Sequence, residues 1–238
     1  MRCTSLLREY LFPANCAICG RMLFDKDECW YGLCHVCIPR FGLDLDVPRC
    51  SVCGRPLISE QGRCVDCRNT DDHAFDRALA LFPYTGQYRK LLSAFKFAKR
   101  RALGNFLGAK LLESLAYFPD LDADTVLIPV PPRPGKLRKT GWDQLACLAA
   151  ILERTKIRSK SLPVYRCLKR LPSQSQKELS RDNRKTNLQG RILCAKKAPH
   201  RAIVFDDVIT TGSTLDACAL ALKEAGAEKV YGLCLFYT

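Results

Sequence analysis

The sequence predicts an α/β domain, with a parallel sheet that helices cover on both faces, preceded by a small cysteine-rich module. Three observations support this fold class. Continuously apolar strand patterns alternate with amphipathic helical patterns after residue 72. Ten of the 15 cysteines lie within the first 67 residues. The chain has 238 residues, of which 47% are hydrophobic and 26% charged, as expected of a folded globular protein rather than a disordered one.

The module is assigned to residues 1–72 because four Cys-x-x-Cys pairs fall inside it. The pairs are Cys16/Cys19, Cys34/Cys37, Cys50/Cys53 and Cys64/Cys67. Such a pair brings two thiolates to one tetrahedral metal ion, so the eight cysteines predict two structural zinc sites in a double zinc ribbon. Gly20 and Gly54 directly follow a pair, where the knuckle turn favours positive φ. Sequential pairing is the simplest arrangement of the ligands, and an interleaved one stays open.

The expected compartment is the cytoplasm, where disulfides are rare and thiolates bind metal. Arg8 and Glu9 interrupt the N-terminal apolar residues, and no small-residue cleavage site follows, so we expect no secretory signal. The longest apolar run, residues 145–152, is far shorter than the ~20 residues that a membrane helix requires. The sequence therefore predicts no membrane span.

The larger domain is assigned to residues 73–238, after a polar junction at Asn69, Asp71 and Asp72. Apolar runs predict strands at residues 78–82, 125–130, 202–205 and 230–236. Amphipathic spacing predicts helices at residues 87–99, 102–117, 143–154 and 214–225. A basic polar stretch follows the third helix and continues to about residue 190. Because strands and helices alternate, the expected sheet is parallel.

Residues 202–214 carry the most informative motif: an apolar strand, an acidic pair, a hydroxyl-rich loop with a glycine, and a helix. A loop between the carboxyl end of a strand and the N-terminus of a helix presents backbone N–H groups to a phosphate. The hydroxyl donors of this loop are Thr210, Thr211, Ser213 and Thr214. Gly212 allows close approach of the backbone. The adjacent carboxylates of Asp206 and Asp207 need hydroxyls or a cation beside them, and a ribose diol supplies the hydroxyls.

This motif resembles the phosphoribosyl-pyrophosphate (PRPP) signature of type I phosphoribosyltransferases. The resemblance implies a phosphoribosyltransferase-like domain of that type. It also implies that Asp206 and Asp207 hold the ribose 2′- and 3′-hydroxyls and act in catalysis. Residues 210–214 would bind the 5′-phosphate, and Mg2+ would accompany the pyrophosphate.

Nearly the whole chain resembles the ComF family of competence-associated proteins. The cysteine pairs are followed by segments at residues 128–131, 141–144 and 176–187 and by the PRPP loop, in the order typical of that family. Residues 140–144 depart from the pattern, since the family usually has Arg-Gly-Phe-Asn-Gln and this chain has Thr-Gly-Trp-Asp-Gln. The resemblance implies a role in DNA uptake and natural transformation. It further implies that Lys96 faces the pyrophosphate, where a cation stabilises the leaving group in catalysis.

Basic side chains are concentrated in the larger domain. Residues 1–72 carry nine basic and ten acidic side chains, a formal charge of −1, whereas residues 73–238 carry 29 and 14, a formal charge of +15. The basic clusters lie at residues 89–101, 133–139, 169–170 and 177–191. Such clusters attract phosphates, so we expect a nucleic acid or a phosphorylated metabolite as a partner.

Two hypotheses for the function follow. The first is a phosphoribosyltransferase that transfers the phosphoribosyl group of PRPP to an acceptor that the sequence does not identify. The second is a non-catalytic scaffold that binds PRPP and single-stranded DNA during DNA uptake and recombination. Phe95, Phe97 and Trp142 lie among the basic clusters and could stack on bases, although Phe95 and Phe97 fit a core position equally well. With either hypothesis, the zinc ribbon could dock a DNA-uptake helicase or a recombination mediator.

Overall fold

The computed structural model describes residues 14–69, 73–118, 121–122, 124–154, 163–172 and 191–238. The predicted boundary at residue 72 and the family-like segment at residues 176–187 lie outside these residues. The boundary therefore stays a prediction.

The cysteine-rich module is built from turns, two isolated bridges and short helices. Antiparallel bridges join Asn15 to Met22 and Arg49 to Pro56, and each closes the chain around one Cys-x-x-Cys turn. The helices are α1 (Lys26–Tyr31), a 3-10 turn (Ile38–Phe41) and α2 (Val65–Arg68). With so little regular structure, the module depends on its cysteines for a core.

A parallel four-stranded sheet forms the centre of the larger domain. Its strands in chain order are β1 (Arg77–Pro83), β2 (Val126–Pro129), β5 (Arg201–Ile209) and β6 (Lys229–Tyr237), arranged in space as β1-β6-β5-β2. Strands β3 (Leu168–Arg170) and β4 (Ile192–Cys194) form a separate antiparallel pair. Val164 makes a parallel bridge to Leu127, which extends the sheet beyond β2. The strands are buried along most of their length, as expected for a sheet covered on both faces.

Helices lie on both faces of the sheet, as the sequence predicts. Helices α3 (Gly86–Lys96), α4 (Leu103–Glu113) and α6 (Gln144–Arg154) pack together on one face, and a 3-10 turn (Ser114–Tyr117) follows α4. Helix α7 (Ser213–Glu224) and the β3–β4 pair cover the other face. The short helix α5 (Lys136–Thr140) lies in the connection after β2.

Three elements differ by more than one residue from the sequence prediction. The helix expected over residues 87–99 ends at Lys96. The helix expected over residues 102–117 ends as an α-helix at Glu113 and continues as the 3-10 turn. The strand expected over residues 202–205 continues to Ile209, so Asp206 and Asp207 belong to β5 and not to a loop. The reason is pairing with β6, because Asp206 lies opposite Cys234 and Val208 opposite Phe236.

The second zinc ribbon, which contains Cys50, Cys53, Cys64 and Cys67, covers the free edge of the sheet. Among the described strands, β1 has a neighbour only on its β6 side. On its other side the Ala78 backbone N–H donates to the Val52 carbonyl at 2.7 Å, and Arg49 Nη1 donates to the Ala80 carbonyl at 3.0 Å. Gly54 fits against this edge because it lacks a Cβ, which would lie 2.2 Å from the Ala78 carbonyl oxygen. Burying an edge in this way removes a site of intermolecular strand pairing.

The first ribbon, which contains Cys16, Cys19, Cys34 and Cys37, packs on helices α3 and α4. The Tyr31 ring meets the Phe106 ring edge to face at 5.9 Å, and Phe41 contacts both Tyr88 and Phe106 in the same manner. Asn105 Nδ2 donates to the Trp30 carbonyl at 2.8 Å. Both ribbons are therefore joined to the larger domain through packed interfaces. Among the described residues, no helix has the length and apolar character that crossing a membrane requires.

Candidate functional site

Two cysteine tetrads form in the module, and their pairing is sequential. One tetrad is Cys16, Cys19, Cys34 and Cys37, and the other is Cys50, Cys53, Cys64 and Cys67. Within each tetrad the sulfur atoms lie within 4.8 Å of one another, and Cys19 and Cys53 each approach a neighbouring sulfur at 3.7 Å. Four sulfurs bound tetrahedrally at about 2.3 Å from zinc would be about 3.8 Å apart. Both tetrads therefore fit structural zinc sites.

Backbone N–H groups prepare the first cysteine of each tetrad to bind metal as a thiolate. Burial raises the pKa of Cys16, but hydrogen bonds from the backbone of its own knuckle and of Cys34 outweigh burial and lower the pKa to about 6. Burial is outweighed in the same way at Cys50, where the pKa falls to about 7. Zinc binds the thiolate form, so these hydrogen bonds favour metal binding near neutral pH.

Charged side chains flank both tetrads. Beside the first, the buried Glu28 carboxylate accepts from the His35 backbone N–H at 2.8 Å and from Arg21 at 2.9 Å. Beside the second, Arg55 pairs with Asp66 at 2.8 Å. Burial lowers the pKa of Arg55, but the charges of nearby thiolates and of Asp66 outweigh burial and raise it. Arg55 thus balances the negative charge that four thiolates place around the second metal site.

Lys96 and Gln144 converge on the acidic pair at the carboxyl edge of the sheet. Lys96 is the last residue of α3, and its Nζ lies 2.6 Å from Asp207 Oδ2. Gln144 is the first residue of α6, and its Nε2 donates to the same oxygen at 2.5 Å. Asp206 Oδ1 accepts from the Asp207 backbone N–H at 2.7 Å. The structure thus brings together the three residues for which the sequence suggests a catalytic role, Lys96, Asp206 and Asp207.

The two carboxyls of the pair have opposite pKa shifts. Burial and the neighbouring Asp207 charge raise the pKa of Asp206 well above its usual value. Burial also opposes ionisation of Asp207, but the Lys96 ammonium and hydrogen bonds from Lys96 and Gln144 lower its pKa below the usual value. Asp207 is therefore the carboxylate of the pair, and Asp206 retains its proton more readily.

The loop between β5 and α7 has the geometry of a phosphate cradle. Gly212 caps α7 with a φ of 76°, and Ser213 is the first helical residue. The first N–H groups of a helix have no partner within it and point out of its N-terminus. Thr211 Oγ1 and Ser213 Oγ lie 2.7 Å apart, and a small depression is lined by residues 208–215 and Asp206. The predicted binding residues Thr210, Thr211, Gly212, Ser213 and Thr214 all line this depression.

Lys136 is a site residue whose role the sequence analysis did not identify. Its Nζ donates to Gln144 Oε1 at 2.7 Å and to Asp143 Oδ1 at 2.9 Å. Because the Gln144 oxygen is engaged by Lys136, its amide nitrogen is directed at Asp207. Asp143, where the sequence departs from the pattern it resembles, has its charge matched by Lys136. The sequence signal was the basic cluster at residues 133–139, which gave no indication of which lysine faces Gln144.

The aromatic residues proposed for base stacking are not equally accessible. Phe95 and Trp142 are buried and pack edge to face at 5.7 Å, so both belong to the core. That part of the expectation is wrong, because the Trp142 ring, just before α6, packs against the Phe95 ring of α3. Phe97 is 69% exposed, so its ring is accessible for stacking on a base.

Three arginines gather on the Asp206 side of the sheet edge. Burial lowers the pKa of Arg170, and the positive charges of Arg133 and Arg191 lower it further, while Asp206 opposes this shift. Arg170 is the last residue of β3, Arg191 directly precedes β4, and Arg133 lies in the connection after β2. Clustered guanidinium groups of this kind favour a bound anion.

The sequence is similar to two named proteins over most of its length. Residues 7–68 match the family model of the double zinc ribbon domain. Competence protein F of Haemophilus influenzae is 27% identical over 234 residues, which cover 92% of this chain and 95% of that protein. DNA utilization protein YhgH of Escherichia coli is 28% identical over 232 residues, which cover 95% of this chain and 98% of that protein.

Proposed function

The chain belongs to the ComF family of competence-associated proteins, and from that premise we propose that it is a PRPP-binding, phosphoribosyltransferase-like protein that acts in DNA uptake. The role in DNA uptake follows from the names of its relatives, a competence protein and a DNA utilization protein. The binding of PRPP is the finer proposal. The observation that carries it is the convergence of Lys96, Gln144 and the acidic pair beside the phosphate cradle.

In the proposed complex the phosphate cradle binds the 5′-phosphate through N–H groups at the start of α7 and the loop hydroxyls. The ribose hydroxyls donate to Asp206 and Asp207. When a hydroxyl donates to Asp207 Oδ2, it competes with Lys96 Nζ for that oxygen. Lys96 is then released toward the pyrophosphate, and Gln144 keeps Asp207 in place.

Transfer would break the bond between the ribose anomeric carbon and the pyrophosphate oxygen, while an acceptor nitrogen bonds to that carbon and loses a proton. The electron pair of the broken bond leaves with the pyrophosphate, and the Lys96 ammonium stabilises its charge. Two adjacent carboxyls fit a site for hydroxyl donors and a divalent cation, and bound Mg2+ would neutralise further charge on the leaving group. The acceptor is the part of the reaction for which we assign no residue.

A scaffold that binds PRPP and single-stranded DNA without turnover is the second candidate. The formal charge of +15 over residues 73–238 and the exposed ring of Phe97 favour it. The first ribbon exposes 81% of Phe24 and 60% of Trp30. We propose that face as the docking surface for a helicase or recombination mediator.

Calorimetry of the zinc-loaded chain with PRPP and Mg2+ tests the shared part of both candidates. We expect binding that the double variant Asp206→Asn, Asp207→Asn abolishes. The variant Asp44→Asn, Asp46→Asn makes the same charge change on an exposed part of the module and should bind as the unchanged protein does. If the unchanged protein does not bind PRPP, the proposal is wrong and a role in DNA handling without PRPP is the better account.

Two further measurements separate the candidates. Release of pyrophosphate in the presence of a nitrogenous acceptor would identify the transferase. If Asp206→Asn abolishes PRPP binding while DNA affinity and its salt dependence are unchanged, DNA occupies a separate surface, as the scaffold requires.

A further inference from the structure

A cleft of about 460 Å3 lies between the phosphate loop and the second zinc ribbon. One wall consists of residues 209–212 of the loop. The facing wall is formed by Arg55 and Asn69 of the ribbon, by His73 and Phe75 at the start of the larger domain, and by Thr238. Its volume lies in the range of sites for small organic ligands, about 300–1,000 Å3. The function proposed above does not use this cleft.

The cleft continues the phosphate cradle on the side away from the acidic pair. Residues 209–212 line both the cleft and the depression at the start of α7. Asp206 lines only the depression, and neither Asp206 nor Asp207 lines the cleft. A phosphate in the cradle would thus have its ribose toward the acidic pair and the cleft on its other side. A second substituent on that phosphate would extend into the cleft.

The charges around the cleft favour an uncharged substituent. Arg55 is paired with Asp66 at 2.8 Å and lies beside Cys53 and Cys67 of the second tetrad. His73 Nδ1 lies 3.4 Å from Asp216 Oδ1. Within the described lining, both basic side chains are therefore engaged by acidic groups. A second phosphate would meet the thiolate charge of the metal site without a cation committed to it.

The remaining lining suits a nucleoside. Phe75 and Ile209 supply apolar surface, and the Asn69 amide and the exposed hydroxyls of Thr210 and Thr211 supply donors and acceptors. Amide and hydroxyl groups of this kind bind the edges of bases. A phosphate that joins a ribose to a further nucleoside is a phosphodiester, the linkage of a nucleic-acid strand.

We propose that the cleft holds the nucleoside on the 5′ side of a nucleotide whose phosphate lies in the cradle, so that the site binds the 3′ end of a nucleic-acid strand. The 3′-terminal nucleotide has a free 3′-hydroxyl, which can donate to Asp206 or Asp207. This inference rests on the proposed phosphate cradle and adds the class of ligand. It requires neither PRPP nor turnover.

The test compares three ligands by calorimetry on the zinc-loaded full chain. Thymidine 5′-monophosphate fills the cradle alone, the dinucleotide d(TpT) adds an uncharged nucleoside, and thymidine 5′-diphosphate adds a second phosphate. We expect d(TpT) to bind about tenfold more tightly than either of the others. Equal or weaker binding of d(TpT), or diphosphate binding as tight as d(TpT), would overturn the inference.

A variant that fills the cleft tests whether the tighter binding of d(TpT) depends on the cleft. Thr238→Trp places a large side chain in the cleft while keeping the backbone bond from the Thr238 N–H to the Ile209 carbonyl. It should remove the tenfold advantage of d(TpT) and leave the affinity for the monophosphate within about twofold. Ser59→Trp makes a similar change on an exposed part of the same ribbon outside the cleft and should keep the advantage. Zinc content and thermal unfolding establish that both variants are folded.

The outcomes for the cleft and for PRPP are distinct. If PRPP binds through the acidic pair but Thr238→Trp leaves d(TpT) affinity unchanged, the cleft inference fails and the proposed function stands. If PRPP does not bind but d(TpT) binds in a manner sensitive to Thr238→Trp, the PRPP proposal fails and the cleft inference stands.

Discussion

Asp206 and Asp207 differ in their surroundings although they are adjacent in sequence. Asp207 is held by a lysine and a glutamine at 2.6 and 2.5 Å, whereas Asp206 accepts a backbone N–H at 2.7 Å and lies beside its neighbour's charge. The strand places both at the same edge because β5 runs on to Ile209. A carboxyl whose pKa is raised in the folded state, as that of Asp206 is, lowers stability at neutral pH and is kept for binding.

Replacing Asp206 with asparagine should therefore stabilise the protein at neutral pH. The folded-state pKa of Asp206 is raised, so the folded chain holds a proton that the unfolded chain loses, and stability falls as pH rises above about 4. Asp206→Asn removes this loss of stability, because asparagine does not ionise. Its Tm should exceed that of the unchanged protein at pH 7, and the difference should shrink as pH falls toward 5. For a chain of this size, 1 kcal/mol corresponds to about 2–4 °C in Tm.

Asp207→Asn is the matched comparison and should have the opposite effect. Its pKa is lowered in the folded state, so its charge stabilises the fold at neutral pH, and the variant leaves the Lys96 ammonium without its partner. Thermal unfolding of both variants from pH 5 to 8 checks the pair. A lower Tm for Asp206→Asn at pH 7 would contradict the assignment of the charges.

At the scale of elements, the two knuckle glycines have the same local conformation but different surroundings. Gly20 and Gly54 have φ values of 77° and 69°. A Cβ at Gly20 would meet no described atom within 4 Å, whereas a Cβ at Gly54 would lie 2.2 Å from the Ala78 carbonyl oxygen and 2.5 Å from Leu79 Cα. The difference in the space around these two glycines reflects how closely the second ribbon packs against β1.

Gly54→Ala should therefore cost much more stability than Gly20→Ala. Both variants carry the left-handed strain of about 1–2 kcal/mol, and only Gly54→Ala must also separate the ribbon from the strand edge. We expect a total loss of at least about 3 kcal/mol for Gly54→Ala. Denaturant unfolding of the zinc-loaded proteins measures both losses. Equal losses would mean that the ribbon does not pack against β1 in solution.

The same elements show which parts of the fold a sequence can predict. The apolar run at residues 230–236 predicted β6 to within one residue at each end, because a strand buried on both faces is continuously apolar. The end of β5 was missed because its polar residues pair with β6 through the backbone, which hydrophobicity does not report. The β3–β4 pair has three residues per strand, too few for an alternation to be visible.

The candidate site was predicted in its composition and only partly in its geometry. The motif at residues 202–214 located the cradle, and the family resemblance brought in Lys96. The contact of Gln144 with Asp207, and the orientation of Gln144 by Lys136, depend on how α6 meets the sheet edge. Such long-range contacts have no local sequence signal. Sequential zinc pairing was likewise left open until the tetrads were placed in space.

At the scale of the whole molecule, the ribbons and the larger domain form a continuous core. Seven of the eight tetrad cysteines, all except the exposed Cys19, belong to the same buried cluster as the sheet and helices. Arg55 donates to the Thr238 carbonyl, which joins the second metal site to the residue after β6. Zinc bound in the second tetrad would therefore stabilise more than the module, because folding of the second ribbon also covers β1.

Removing zinc should consequently expose the edge of the sheet. A chelator at neutral pH is expected to unfold both ribbons, since the metal fixes their Cys-x-x-Cys turns and each ribbon has little regular secondary structure of its own. The Ala78 N–H then loses its acceptor, the Val52 carbonyl, and the apolar strand β1 is free to pair with another chain. Hydrogen exchange should show loss of protection at Ala78 before the amides of β5, which has strands on both sides. Light scattering should show association that restored zinc suppresses. A chelated protein that stays monomeric with Ala78 protected would mean that the ribbon remains docked without its metal.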